Sequence, residues 1–398
     1  MRKYIFILFI TIFAQGLSLL SNFFIANSLA INEFSKYASS LSIISMSSIV
    51  FLFGIPQYLV RNAIENDNKN LSEYFYLWLG NSSLYLIFCL FVYFGFYDNK
   101  YILYLIPFGL IVISSTYLAS LYQIRNDFIS MSISLISKDI TKTLFALIIL
   151  LTSVFSFGLW VLASSFFILY IISIYLRREW PNPSFHYKMA SESFLKSLPF
   201  WISSLSYTIY YQSDVIFLTY YNFVKEVANY TLTITIMTGL LVVSSTLYQR
   251  YLLPIFYREN KKSKKLGRAL INKYLIITMM LIFPFYALYY YFGEFFMALI
   301  VPDRYSDSIN YMDVIIFAVI VRYLYSPIGL YMNLDIFINK KSKILLCAAI
   351  FNVLINFIFI PIYGANVVLY STVLTELFVL LLFLNIYIKS REPNNDRA

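Results

Sequence analysis

Seven ionisable side chains lie inside stretches of this sequence that are otherwise apolar, and they set the chemistry the chain can do. Four are cations, Lys138, Lys142, Arg250 and Arg322, and three are acids, Asp139, Asp214 and Glu376. An ion held at the depth of a bilayer costs roughly 2.5–3.5 kcal/mol on insertion scales, so it faces an aqueous cavity or a partner of opposite charge. Cations so placed hold anions; acids so placed hold a proton, a metal cation or a basic side chain. Lys138 and Lys142 are four residues apart, which puts them on one helical face, near Ser130, Ser134 and Thr141. Asp139 offers them a pairing partner, and the stem of Lys138 is long enough to carry its charge toward water. Asp214 shares a face with Ser203, Tyr207 and Tyr210. Glu376 is available to any of the cations, and Arg61 adds a charge just beyond the second apolar run. The rest of the reactive inventory is sparse. His186 is the single histidine, and Cys89 and Cys347 both lie in apolar runs, so no metal-ligand set or disulfide is called for.

The elements that hold these residues follow from composition. Hydrophobic residues make up 60% of the 398 and charged residues 13%, against about 25% charged in soluble domains. Apolar runs long enough to cross a bilayer recur along the whole chain, which makes it an all-α polytopic membrane protein. The best partition has twelve spans, near 4–27, 38–60, 74–97, 101–124, 130–153, 158–176, 198–220, 229–252, 270–293, 312–336, 344–363 and 366–388. The basic start followed by an apolar run has the form of a signal peptide, but that run exceeds the 7–15 residues of a signal core, and it reads as the first span. The loops are short and leave no room for a domain outside the membrane.

Two halves are expected. Ser21-Asn22, an apolar run, then Glu33 and Tyr37 parallel Ser213-Asp214, an apolar run, then Glu226 and Tyr230, about half a chain later. Ser156-Phe157-Gly158 is echoed by Ile362-Tyr363-Gly364. The division is 1–180 for the first six spans, 181–197 for a linker, 198–390 for the second six and 391–398 for a tail. With the N-terminus inside, twenty-two of the 30 basic residues fall in inner segments and four in outer ones, an asymmetry that places both termini in the cytoplasm. The net charge of +10 is then a topology signal and not a nucleic-acid-binding surface, and the run Lys261–Arg268 lies where anionic lipid heads would be. Tyr207, Tyr210 and Tyr211 supply aromatic faces of the kind that stack on sugar rings.

Three stretches together resemble a known group: Phe53–Ala63 (FGIPQYLVRNA), Leu198–Leu218 (LPFWISSLSYTIYYQSDVIFL) and Asn356–Glu376 (NFIFIPIYGANVVLYSTVLTE). They are similar to the polysaccharide flippases of the multidrug/oligosaccharidyl-lipid/polysaccharide exporter superfamily, and among those to the bacterial O-antigen flippases. The motif positions are Gly54, Arg61, Pro199, Asp214, Asn356, Pro361, Gly364 and Glu376; Asn366 and Val367 stand where the group often has a second small residue. The resemblance implies two six-helix lobes around a central cavity, related by a pseudo-two-fold axis, in a bacterial inner membrane. It implies a substrate of undecaprenyl-pyrophosphate-linked oligosaccharide repeat units, moved from the cytoplasmic to the periplasmic leaflet. Membrane lipids and other polysaccharide assembly proteins are the partners expected with it. Lys138, Lys142, Arg250 and Arg322 would form the anion cavity, with Arg61 at its inner mouth. Asp214 and Glu376, with Asp139, would be coupling sites for H+ or Na+, or structural charge pairs. No other cofactor is expected, and no enzymatic step. Two other functions share the composition: a multidrug exporter of the same superfamily, whose cavity favours acids, and a membrane polysaccharide polymerase, which usually carries a large outer loop not found here.

The orientation has a direct test. In a chain freed of Cys89 and Cys347, Lys264→Cys and Asn394→Cys are expected to resist impermeant thiol reagents in intact cells, whereas Lys100→Cys and Lys225→Cys react. Labelling at position 264 would overturn the partition.

Overall fold

Inside hydrocarbon a backbone N–H or C=O has no water to bond, so each spanning segment must satisfy its own. The computed structural model describes residues 2–65, 74–95, 100–125, 127–152 and 187–390, and among them it is helical with no strand. The first part of the chain forms α1 (Arg2–Ser28), α2 (Ile31–Val50), α3 (Ile55–Glu65), α4 (Tyr74–Gly95), α5 (Lys100–Ile124) and α6 (Phe128–Thr152). The second part forms α7 (Tyr187–Tyr220), α8 (Val224–Ser245), a π-helical turn (Thr246–Leu252), α9 (Leu253–Lys262), α10 (Lys264–Ile300), α11 (Asp307–Tyr331), α12 (Asp335–Tyr363) and α13 (Val367–Lys389). Seven of the described helices are long and apolar enough to cross a membrane, or eight if the bent pair α2–α3 is one span. The protein is a multi-pass membrane protein. The expected span 158–176 and the Ser156–Gly158 echo lie outside the described residues.

Helices α1, α2, α4, α5 and α6 pack on one another, and α7, α8, α10, α11, α12 and α13 do the same. The two bundles meet where α1 and α2 lie against α7 and α8. Helix α2, which lies along this seam, is rich in serine. Ser42, Ser47 and Ser48 are buried, and each returns its hydroxyl to a carbonyl three or four residues back, as Ser42 does to Ala38 O at 3.0 Å; Ser47 meets Tyr85 of α4 inside the first bundle. A serine that satisfies itself in this way costs little in an apolar setting and lets neighbouring backbones come close. Asn22 of α1 crosses the seam to donate to Thr235 Oγ1 of α8 at 2.9 Å. At the end opposite the chain termini, Arg304 and Tyr305 both donate to the Ala26 carbonyl in the last turn of α1, Tyr305 at 3.2 Å.

Two boundaries differ from the sequence reading. The expected span 38–60 is instead α2, which begins at Ile31, a four-residue turn, and α3, bent by 41°. Phe53 and Gly54 both have positive φ, 50° and 65°, and Pro56 sits in the first turn of α3 where its missing N–H is harmless. Leu52 to Pro56 are mostly apolar, so hydropathy alone runs straight through the break. The expected linker 181–197 is helical from Tyr187 onward, because α7 continues through Pro199 to Tyr220 without interruption.

Within the first bundle α4 and α5 are joined by Trp78 to Ser114 and Asn81 to Tyr117 hydrogen bonds of 3.0 and 2.8 Å. Gly109 of α5 leaves the slot into which the buried Tyr85 phenol fits, and a Cβ there would overlap that ring. Gly109→Ala is therefore expected to lower stability by about 1–3 kcal/mol through overpacking. The melting temperature of detergent-purified protein checks this, and Tyr85→Leu, which empties the slot, should restore part of the loss.

Candidate functional site

The second bundle gathers most of the polar chemistry on the face of α7 that the sequence marks. Tyr207, Tyr210, Tyr211 and Asp214 fall at helical spacing and look toward α11, α12 and α13. Along α7 they serve two clusters, one around each carboxylate.

Glu376 of α13 is fully buried, and Arg322 of α11 approaches it to 3.7 Å. Phenols fill the space between them. Tyr210 accepts from Arg322 Nη1 at 3.0 Å and donates to Glu376 Oε1 at 2.9 Å. Tyr325 also accepts from Arg322 and donates to Glu376 Oε2 at 2.5 Å. Tyr211 gives Oε1 a further hydrogen bond. The guanidinium plane is covered by the Tyr207 ring, 4.0 Å from its centroid, with Tyr325 at 5.0 Å. A carboxylate with three phenol donors and a nearby guanidinium is solvated by protein as water would solvate it. The cation has a lid, because Tyr207 is half-buried where Tyr210 and Tyr211 are buried. The expectation that all three tyrosines offer faces to sugars is narrowed accordingly. The hydroxyls of Tyr210 and Tyr211 are committed to Glu376, and Tyr207 alone keeps a partly open ring.

Asp214 sits farther along α7, also fully buried, and its surroundings are neutral. Oδ2 accepts from Tyr230 of α8 and from Thr372 Oγ1 of α13 at 3.1 Å. Oδ1 accepts from Asn356 Nδ2 of α12 at 2.5 Å, and turning the Asn352 amide over lets it donate to Oδ1 at 3.2 Å. Ser371 extends the network through Asn356 Oδ1 at 2.8 Å. No described basic side chain lies within ion-pair distance of Asp214.

The other cations stand apart from this bundle. Lys138 and Lys142 lie on α6, which packs on α1 and α5. Lys142 is 5% exposed and makes no hydrogen bond or ion pair with any described residue, while Asp139 beside it is buried and engaged. Arg61 is on α3 with its guanidinium 5.0 Å from the Phe200 ring centroid. Arg250 falls in the π-helical turn Thr246–Leu252, and its side chain lies outside the described residues. A cationic cavity between the halves was the expectation; the described contacts join Arg322 to Glu376 in the second bundle, and Lys138 and Lys142 lie in the first. Sequence reading missed Tyr325 and Thr372. Tyr325 stands three residues after Arg322 and Thr372 four before Glu376, so each falls on the face of a charge already singled out. Lys341, expected in a loop, is half-buried and donates to Asn333 Oδ1 at 2.6 Å.

Comparison with known proteins agrees with this fold. Residues 1–259 match the family described as "Polysaccharide biosynthesis protein". No curated protein matches the sequence. Among solved structures, the lipid II flippase MurJ in an inward closed conformation is similar with a TM-score of 0.72 at 12% identity, over 97% of this chain and 87% of that one. A variant of the Vibrio cholerae MATE transporter VcmN gives 0.70 at 12% identity, over 98% and 97%. The eukaryotic MATE transporter AtDTX14 gives 0.71 at 12%, over 97% and 95%. At such identities the likeness is one of fold.

The charge pair has a stability signature. Arg322→Met leaves Glu376 buried without its counter-charge and is expected to cost about 3–5 kcal/mol, read as a fall in melting temperature. Arg322→Met combined with Glu376→Leu should recover most of it.

Proposed function

The chain belongs to the polysaccharide biosynthesis protein family, and from that premise we propose that it is a flippase for oligosaccharide repeat units carried on undecaprenyl pyrophosphate. Such units make O-antigen or a related surface polysaccharide, and the movement is from the cytoplasmic to the periplasmic leaflet. The observation that carries this is Arg322, a permanent cation deep in a spanning helix, held by phenols that water or phosphate oxygens can replace. A pyrophosphate cannot cross hydrocarbon bare, and a guanidinium offers it a two-pronged set of donors. Tyr207, stacked on that guanidinium with its ring partly open, is placed to meet the first sugar. Lys142, buried beside Asp139 with no hydrogen bond to it, is the corresponding cation of the first bundle, with Lys138, Arg250 and Arg61 completing the path. Rocking of the two bundles about these residues would open the site to one side at a time. No bond of the substrate need be made or broken.

The two acids take different roles. Glu376 has Arg322 as its counter-charge and is a charge pair, free to release the cation when an anion arrives. Asp214 has oxygen and amide neighbours from α7, α8, α12 and α13 and no cation. Its carboxylate, with the hydroxyl oxygens of Tyr230 and Thr372 beside it, offers hard oxygen ligands of the kind that suit a proton or Na+. An ion bound there would tie α7 to α12 and α13, and its loss would free them to move. This is the coupling site in our reading. The same acid favours the alternative of a cation exporter, in which Asp214 would bind the drug itself.

Deletion of the protein should abolish surface polysaccharide and leave lipid-linked repeat units on the cytoplasmic leaflet. In complemented cells Arg322→Met with Glu376→Leu, although stable, should not restore export; Arg322→Lys should restore part of it. Asp214→Asn should stop export with the protein still inserted. Normal polysaccharide in the deletion, together with new sensitivity to cationic dyes, would replace the flippase by the exporter.

A further inference from the structure

A helix that ends inside a membrane protein leaves carbonyl groups in need of donors. Helix α2 ends at Val50, and its last carbonyl and that of Phe53 in the turn that follows, Phe51–Gly54, accept from the other bundle. Trp201 of α7 donates its indole N–H to Val50 O at 2.9 Å, and Ser197 donates its hydroxyl to Phe53 O at 2.8 Å. Phe53 is held at φ 50°, a left-handed conformation in which its Cβ crowds the following carbonyl. Its ring is flanked by Phe194 at 5.3 Å and Trp201 at 5.5 Å. Gly54 seats directly on the α7 backbone, where a Cβ would overlap Trp201 N and Ser197 O. Beyond the turn, Tyr58 of α3 packs with Phe200 of α7 and Ile338 of α12. These contacts lie at the end of the bundles that carries the chain termini, and α3 also meets α9 there.

We propose that this seat is the latch of the inner gate: the Phe51–Gly54 turn, clamped by Trp201 and Ser197, holds the cytoplasmic end of the two bundles together, and its release opens the site to that side. The left-handed Phe53 makes the latch reversible. A non-glycine residue keeps such a conformation only while its surroundings over-determine it. Once α7 draws back the turn relaxes, and the relief of strain partly offsets the two hydrogen bonds lost. The break in α2 is what lets the turn move without carrying the whole helix. This proposal rests on the alternating-access reading and on the expected orientation, but its test needs no substrate.

In a chain with Cys89→Ser and Cys347→Ser, Ser203→Cys places a reporter two residues beyond Trp201, at a position 8% exposed. Inside-out vesicles are treated with an impermeant maleimide, and labelling is normalised to the total thiol after denaturation. Trp201→Phe keeps the ring and removes the donor; Ser197→Ala removes the hydroxyl. Together they are expected to speed labelling about tenfold, equivalent to about 1.4 kcal/mol. A rate within twofold of the parent would overturn the latch, whether read on the double variant or, if that fails to accumulate, on Trp201→Phe alone. Faster labelling in a protein whose deletion leaves surface polysaccharide intact would keep the latch and remove the flippase.

Discussion

A charge in the middle of a bilayer must be solvated by protein, because nothing else is there to do it. Arg322 and Glu376 show how much structure that demand consumes. Their direct separation of 3.7 Å is too long for one strong bond, and two phenols, Tyr210 and Tyr325, bridge the gap. Those phenols come from α7 and α11, the carboxylate from α13. The arrangement fixes the rotation of three helices at once, since turning any of them by a quarter would leave a buried charge bare. Its strength is shared among many modest bonds and not lodged in one ion pair.

The two buried acids of the second bundle, Asp214 on α7 and Glu376 on α13, meet neighbouring turns of α7 and yet behave as different groups. Around Glu376 the neighbours are a cation and its hydrogen-bonded phenols. Around Asp214 they are hydroxyls and amides with no compensating charge. One carboxylate has its positive partner built in, and the other is held by neutral donors alone.

Much of the fold was legible because its signal is a matter of solvent. Apolar runs mark helices wherever hydrocarbon surrounds them, and a lone charge in such a run stands out, which is how Arg322, Asp214 and Glu376 were found. What hydropathy does not carry is geometry across the membrane plane. Lys142 and Arg322 look alike in sequence, but they belong to helices that pack in different bundles. Tyr325 was lost among 37 tyrosines, most of which any membrane protein would place at its interfaces. The break after Val50 is written in Phe53, Gly54 and Pro56, a backbone signal invisible to a scale that scores side chains.

Helix α10 has a consequence of its own. Its 37 residues make a rod about 55 Å long, against a hydrocarbon layer of about 30 Å. Its first half packs on α9 and bonds to Tyr248 and Tyr387; its second half packs on α11 and otherwise faces outward, with Phe283 and Tyr291 among its exposed rings. A rod so much longer than the layer it crosses has slack. When the bilayer thins or thickens by a few ångströms, the mismatch can be taken up by the tilt of one peripheral helix. The depth of the helices that carry charge is then set by their packing and not by the lipid around them.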